Sequence, residues 1–234
     1  DALLGVAPRA RGVDLSFAEG KRLVLMTAHR RESWGEPMRQ IGGDYLHSFI
    51  SRPTLVTDGG KAGLGDSYNF VLVDVTGHGI PAALTVNRLH GELERIFAEN
   101  PETPPGEVLR LLNSYVHLTL ATHSVYVTAI CIRIRPTTDS LEYASGGHPP
   151  AFLKAVDGTL EQLDSTALVL GACAGADFRS EQRKMRFGPG DVLIAYTDGA
   201  TEARDLQGRY FGIAGLQRAV ATGHPDPEGG WPAT

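Results

Sequence analysis

The chain has 234 residues, 42% of them hydrophobic and 21% charged, and a formal net charge of -5. That balance belongs to an ordinary folded protein and excludes a disordered or fibrous one. The net charge argues against a nucleic-acid partner, because the basic runs around Arg30 and Lys184 are too short to offset it. No apolar run reaches the roughly 18 residues of a membrane span. The first residues, DALLGVAPRARG, lack the basic start and apolar core of a signal peptide. Cys131 and Cys173 have neither CxxC nor His spacing, so both read as free thiols in a reducing interior. A cytoplasmic location is expected, and the limits at Asp1 and Thr234 read as those of an excised fragment.

Residues 1–37 read as an N-terminal arm or atypical strand-loop segment. VDLSF alternates like an edge strand, LVLMTA at 23–28 reads as a buried strand, and HRRESWGEP follows as a polar turn. LVLMTAHRRESWGEP resembles a segment of bacterial UDP-N-acetylglucosamine 2-epimerases. Those enzymes need two doubly wound domains, and nothing after Ile41 supplies them. No epimerase chemistry is therefore assigned to His29.

From Met38 the pattern changes, and 38–222 reads as one domain. IGGDYLHSFI places Asp44 after a glycine pair and continues as a strand, and residues 51–67 read as a loop or wide hairpin. YNFVLVDV is too continuously apolar for an edge strand. It ends at Asp74, and the glycines of VTGHG at 77 and 79 turn it into a helix opened by Pro81. Amphipathic stripes predict helices over 81–99 and 105–121, an αα-hairpin separated by the breaker ENPETPPGE. Strands are then expected over 124–135, 140–147 and 150–155, the last running into an Asp157-Gly158 turn. Residues 164–183 read as a wall, MRFGPGDVLIAYTDG as a strand ended by Asp198, 213–221 as a short helix and 223–234 as a loose tail.

Asp44, Asp74 and Asp198 each stand beside glycine or at a strand end, where carboxylates and backbone carbonyls converge without bulk between them. Mg²⁺ and Mn²⁺ take such oxygen ligands. Neither a Cys-x5-Arg loop nor a GxxxxGK loop is present. Water activated by metal is then the best nucleophile candidate. His78 and His148 read as scaffold residues that order their loops, and His90, His117 and His123 as helix-associated residues needing no function.

IGGDY, VLVDVTGHGIPAAL, YASGGHPPAFL and YTDGATEARDLQGRYFG, in this order, resemble the SpoIIE/RsbU-type serine/threonine phosphatases of the PPM (PP2C-like) superfamily. The resemblance implies an α/β/β/α sandwich of two mainly antiparallel sheets with helices on both outer faces. It also implies a pair of Mn²⁺ or Mg²⁺ ions. On this sequence Asp74 matches the carboxylate bridging the ions, Val75 the neighbour lending its backbone carbonyl, and Asp198 and Asp44 the further ligands. A further aspartate, in an Asp-Asp pair on a C-terminal strand, is also implied. No such pair follows Asp198, Asp226 in its Pro-rich tail is a poor substitute, and one sheet is expected to have an edge covered in some other way. The implied activity is phosphoserine/phosphothreonine hydrolysis without a phosphoenzyme. The implied substrate is an anti-anti-sigma (STAS-type) regulator, with a sensor or regulatory domain upstream; a homodimer is compatible with all of this. The competing expectation is a catalytically weak phosphatase-like interaction module.

Overall fold

The computed structural model describes residues 22–27, 43–52, 65–203 and 208–222. The readings of 1–21, the HRRESWG turn, the 53–64 stretch, Asp226 and the 223–234 tail lie outside these residues. In chain order the elements are β1 (Leu23–Thr27), β2 (Asp44–Ser51), β3 (Ser67–Val75), α1 (Ile80–Glu99), α2 (Pro105–Thr119), β4 (Val127–Arg135), β5 (Ser140–Gly146), β6 (Ala151–Lys154), β7 (Leu160–Leu163), β8 (Arg183–Arg186), β9 (Val192–Tyr196), α3 (Asp198–Thr201) and α4 (Gly212–Thr222). They fall into two units. The larger comprises Arg30–His148 and Ser165–Phe187, the smaller Asp1–His29, Pro149–Asp164 and Gly188–Thr234.

The larger unit carries an antiparallel sheet of order β2-β3-β4-β5-β8. Strand alternation gives β3 two characters. Val71, Val73 and Val75 join Val127, Ala129 and Cys131 of β4 in one core with α1 and α2, while Phe70 and Leu72 are buried on the opposite face. From the helices that core takes Leu89, Leu93 and Ile96 of α1 and Val108, Leu109, Leu112 and Val116 of α2. These recur at helical spacing, and each such side chain contributes about 1.5–3 kcal/mol on full burial. The stripes of the αα-hairpin are therefore core packing.

Turn chemistry sets the helix boundaries. Gly79, the N-cap of α1, has φ 80° and ψ -158°, a conformation essentially reserved for glycine, and a proline follows in the first turn. α1 ends as the Asn100 amide bonds the Ile96 carbonyl, and α2 begins at Pro105 behind an extended Pro104. It stops at Thr119 rather than continuing to 121; a 3₁₀ turn over Ala121–His123 takes up the remainder.

A polar cluster closes the Ser51–Ser67 end of the sheet. The Glu102 carboxylate accepts hydrogen bonds from Ser51 Oγ at 2.5 Å, Ser67 Oγ at 3.3 Å and Arg135 Nη2 at 2.6 Å. Buried Arg133 donates to Asn69 Oδ1 at 2.9 Å and to the Thr103 carbonyl. Burial alone would raise the Glu102 carboxyl, but the bonds from Ser51 and Arg135 and the nearby guanidinium charges outweigh it and hold it below its ordinary value.

The smaller unit is a mixed sheet of order β1-β9-β6-β7, parallel between β1 and β9 and antiparallel elsewhere. Phe152, Ile194, Tyr196 and Val220 form its core. The Asp157-Gly158 turn closes the β6–β7 hairpin, with Gly158 at φ 88° and the Ala155 amide bonded to the Thr159 carbonyl at 2.8 Å. Lys154 Nζ donates to the Val220 and Ala221 carbonyls at 2.9 and 3.2 Å, capping the last turn of α4.

Two further expectations change. Residues 185–198 are not one strand: β8 belongs to the larger unit and β9 to the smaller, with the Phe187–Asp191 turn between them held by the Asp191 carboxylate on the Gly188 amide at 2.7 Å. Residues 160–163, given no element from sequence, form β7. β9 lies between β1 and β6 in its sheet. Cys131 is buried and Cys173 half-buried, both as free thiols; burial pushes the Cys131 thiol far up. Among the described residues no helix is long and apolar enough to cross a membrane.

Candidate metal centre

β2 and β3 place Asp44 directly opposite Asp74. The adjacent pair, Gly43 and Val75, is joined by the Val75 amide donating to the Gly43 carbonyl at 3.1 Å. Asp44 and Asp74 therefore form the next, non-hydrogen-bonded pair, in which side chains approach more closely. Their Cβ atoms are then about 4.5–5.5 Å apart on one face of the sheet. Like charges so placed are destabilising, and a cation between them converts repulsion into coordination.

The backbone supplies a third oxygen. A Cβ on Gly43 would lie 2.4 Å from the Val75 carbonyl oxygen, so only glycine at residue 43 lets the backbone approach that oxygen so closely. Two carboxylates and a carbonyl are a hard-oxygen donor set, which fits Mn²⁺ or Mg²⁺. Gly77 (φ 98°) and Gly79 (φ 80°) then turn the chain sharply from β3 into α1.

On β4, Thr128 stands opposite Asp74 and extends the row to Asp44–Asp74–Thr128. His148 Nδ1 lies 3.0 Å from the Thr128 hydroxyl, and His148 is buried. His148 thus orders its loop through a hydrogen bond, as expected. Thr128 was missed by sequence reasoning; its only signal is its register, which requires the strand pairing to be known.

Asp198 belongs to the smaller unit. It is exposed and opens α3 two residues after β9, with its carbonyl accepting from the Glu202 amide at 2.8 Å and from Thr201 Oγ1 at 2.9 Å. The strand thus ends at Tyr196, ahead of the carboxylate.

A different set of ligand atoms is also brought together. Among the described residues, His47, His90 and Glu94 place one donor atom each within 4.8 Å of one another. From sequence His90 reads as a helix residue needing no function, and nothing singles out His47. The signal that could have found them is the spacing of four between His90 and Glu94, which sets both on one helix face. Burial holds the His47 imidazole below its ordinary value, opposed by Glu94 and assisted by His90.

Comparison with known structures defines the class. The SiaA-PP2C domain of Pseudomonas aeruginosa superposes with a TM-score of 0.61 at 17% identity, covering 77% of this chain and 65% of that one. The PP2C phosphatase domain of the cell fate determinant SpoIIE from Bacillus subtilis gives 0.55 at 20%, covering 77% and 46%. The fold class is therefore the PP2C-like α/β/β/α sandwich.

The family follows from sequence. The family described as Stage II sporulation protein E (SpoIIE) matches residues 65–230, and this chain belongs to it. Phosphoserine phosphatase RsbU of Bacillus subtilis (strain 168) is 30% identical over 175 residues, or 74% of this chain and 46% of that protein. The chain thus spans less than half the length of that relative.

Proposed function

We propose that this chain is a metal-dependent phosphoserine/phosphothreonine phosphatase domain. The observation that carries the reading is the Asp44–Asp74 pair, two carboxylates facing each other in register, with the Val75 carbonyl close against Gly43. Bound Mn²⁺ or Mg²⁺ ions would supply Lewis-acid charge for the phosphoryl oxygens and a water acidic enough to react near neutral pH. Asp74, Asp44 and the Val75 carbonyl would hold those ions, and by family resemblance Asp198 matches a further carboxylate ligand. Thr128, steadied by His148, offers a hydroxyl beside Asp74 for orienting water or phosphate. A phosphoserine substrate is supported by kinship with a relative named as a phosphoserine phosphatase. The substrate we favour is a phosphorylated anti-anti-sigma (STAS-type) protein, which rests on family resemblance.

The test is phosphate release from a phosphorylated STAS-domain protein and from a generic phosphoserine peptide, with Mn²⁺ or with EDTA. Asp74→Asn should melt no lower than wild type in EDTA, because it relieves the Asp44–Asp74 repulsion, and should lose at least about 100-fold in activity. Changes at residues that only support metal ligands already cost 10–100-fold. Full activity in EDTA, or in Asp74→Asn, would overturn the reading. Turnover of the peptide alone would keep the phosphatase and reject the STAS substrate.

A further inference from the structure

The geometry points to a second cation site of different chemistry on the other face of the same strand: His47, His90 and Glu94 form a site for a borderline transition metal of the Zn²⁺ class. Alternation along β2 sends Asp44 to one face and Tyr45, His47 and Phe49 to the other, where Tyr45 and Phe49 pack against the helix-covered core. The two sites therefore lie on opposite sides of the sheet. Neither depends on the other.

α1 supplies two ligands one turn apart, His90 and Glu94, and β2 supplies the third. A helical pair at this spacing joined by a ligand from a neighbouring element is a recurrent way to build a three-ligand zinc site. Both imidazoles turn Nδ1 toward one point. Tyr45 Oη lies 3.1 Å from His47 Nδ1 and 2.7 Å from His90 Nδ1, while His47 Nδ1 is 3.9 Å from Glu94 Oε1. The single phenolic proton cannot serve both rings, so without a metal one ring must itself carry a proton on Nδ1. With a metal bound, both Nδ1 lone pairs are used and each ring carries its proton on Nε2.

The distances suit this exchange. Four ligands at about 2.0–2.1 Å around Zn²⁺ stand roughly 3.4 Å apart, so a cluster within 4.8 Å needs only a modest contraction. The Glu94 side chain, 62% exposed, is free to make it. The His47 ring is fixed more firmly, lying parallel to Phe97 at 5.7 Å between centroids and an angle of 2°. A groove of about 520 Å³, lined in part by His47 and Glu94, gives an ion its way in. Two imidazoles and one carboxylate favour Zn²⁺, Co²⁺, Ni²⁺ or Cu²⁺ over Mg²⁺ and Mn²⁺, with Tyr45 or water in the fourth position. Bound metal would clamp β2 to α1.

Cobalt is the direct probe, because four-coordinate Co²⁺ absorbs strongly in the visible and six-coordinate Co²⁺ weakly. Chelator-stripped wild type titrated with Co²⁺ should develop strong bands that saturate at one ion per chain and are displaced by Zn²⁺. The bands should persist in Asp74→Asn. Binding should weaken at least tenfold in His90→Gln and in Glu94→Gln, by the same scale of ligand-shell losses. Both changes lie on the outer part of α1, and melting in EDTA checks that these variants fold. As a measurement needing no variant, Zn²⁺ should shift the His47 and His90 ring nitrogen resonances of the wild type together. Only weak six-coordinate bands, unaltered binding in folded His90→Gln, or unmoved histidine resonances would each leave the cluster a hydrogen-bond network and overturn the proposal.

Discussion

Replacing Glu102 by Gln removes one charge and little volume from the cluster that closes the sheet opposite the aspartate pair. Glu102 is the carboxylate that faces both Arg133 and Arg135; their side chains are 3% and 11% exposed. Arg135 Nη1 is already buried without a hydrogen-bond partner, so the cluster has no slack. Breaking a fully buried ion pair costs about 3–5 kcal/mol, and an exposed pair contributes at most about 1 kcal/mol. The Glu102 side chain is 34% exposed, which places the substitution between these limits after solvent screening, at about 2 kcal/mol. For a unit of this size that is a fall in Tm of about 4–8 °C. Urea unfolding at neutral pH should show the same loss at an unchanged m value. The sign with pH is set by the folded-state carboxyl, which lies below its ordinary 4.5. Its stabilisation is complete above that value and is lost as pH falls through the folded-state value, so the gap between wild type and Glu102→Gln should close in acid. A gap below about 0.5 kcal/mol at neutral pH, within the scatter of surface substitutions, would refute the reasoning, as would a gap unchanged well below pH 4.5.

Gly43→Ala places a methyl 2.4 Å from the Val75 carbonyl oxygen, a separation that real structures do not tolerate. It should cost about 1–3 kcal/mol as overpacking and weaken Mn²⁺ binding by roughly tenfold, the equivalent of about 1.4 kcal/mol at the site. Calorimetry with wild-type affinity would sink it. Leu109→Ala empties a position of α2 that is fully buried against the sheet. A loss of about 2–5 kcal/mol is expected by urea unfolding, with Co²⁺ and Mn²⁺ stoichiometries unchanged.

The long elements were legible because their periods are unambiguous. The stripes around Leu89, Leu93 and Ile96 and around Val108, Leu112 and Val116 read as helices, and the run into Asp74 as an interior strand. β7, LEQL, escaped because a four-residue strand with two exposed polar residues between its leucines is too short to show a period. β8 and β9 were merged because the turn between them is a local signal, whereas their separation into different sheets depends on distant partners. Sequence also marked Asp44 and Asp74 through their glycines. That they face each other is a matter of register, which no local pattern records. The His47–His90–Glu94 cluster depends on β2 meeting α1, and an isolated histidine on a strand carries no sign of its neighbour.

The β2–β3 ladder holds Ser51 against Ser67 at one end and Asp44 against Asp74 at the other. At about 3.4 Å per residue, the seven steps between these ends amount to roughly 24 Å. Residues 52–66, which join the strands, therefore attach at the end remote from the acidic pair, with the Glu102 cluster clamping the strands beside the attachment point. Length changes in that connection are buffered by the clamp before they can reach the acidic end. A reporter domain or affinity tag inserted in that connection would enter at the end remote from Asp44 and Asp74.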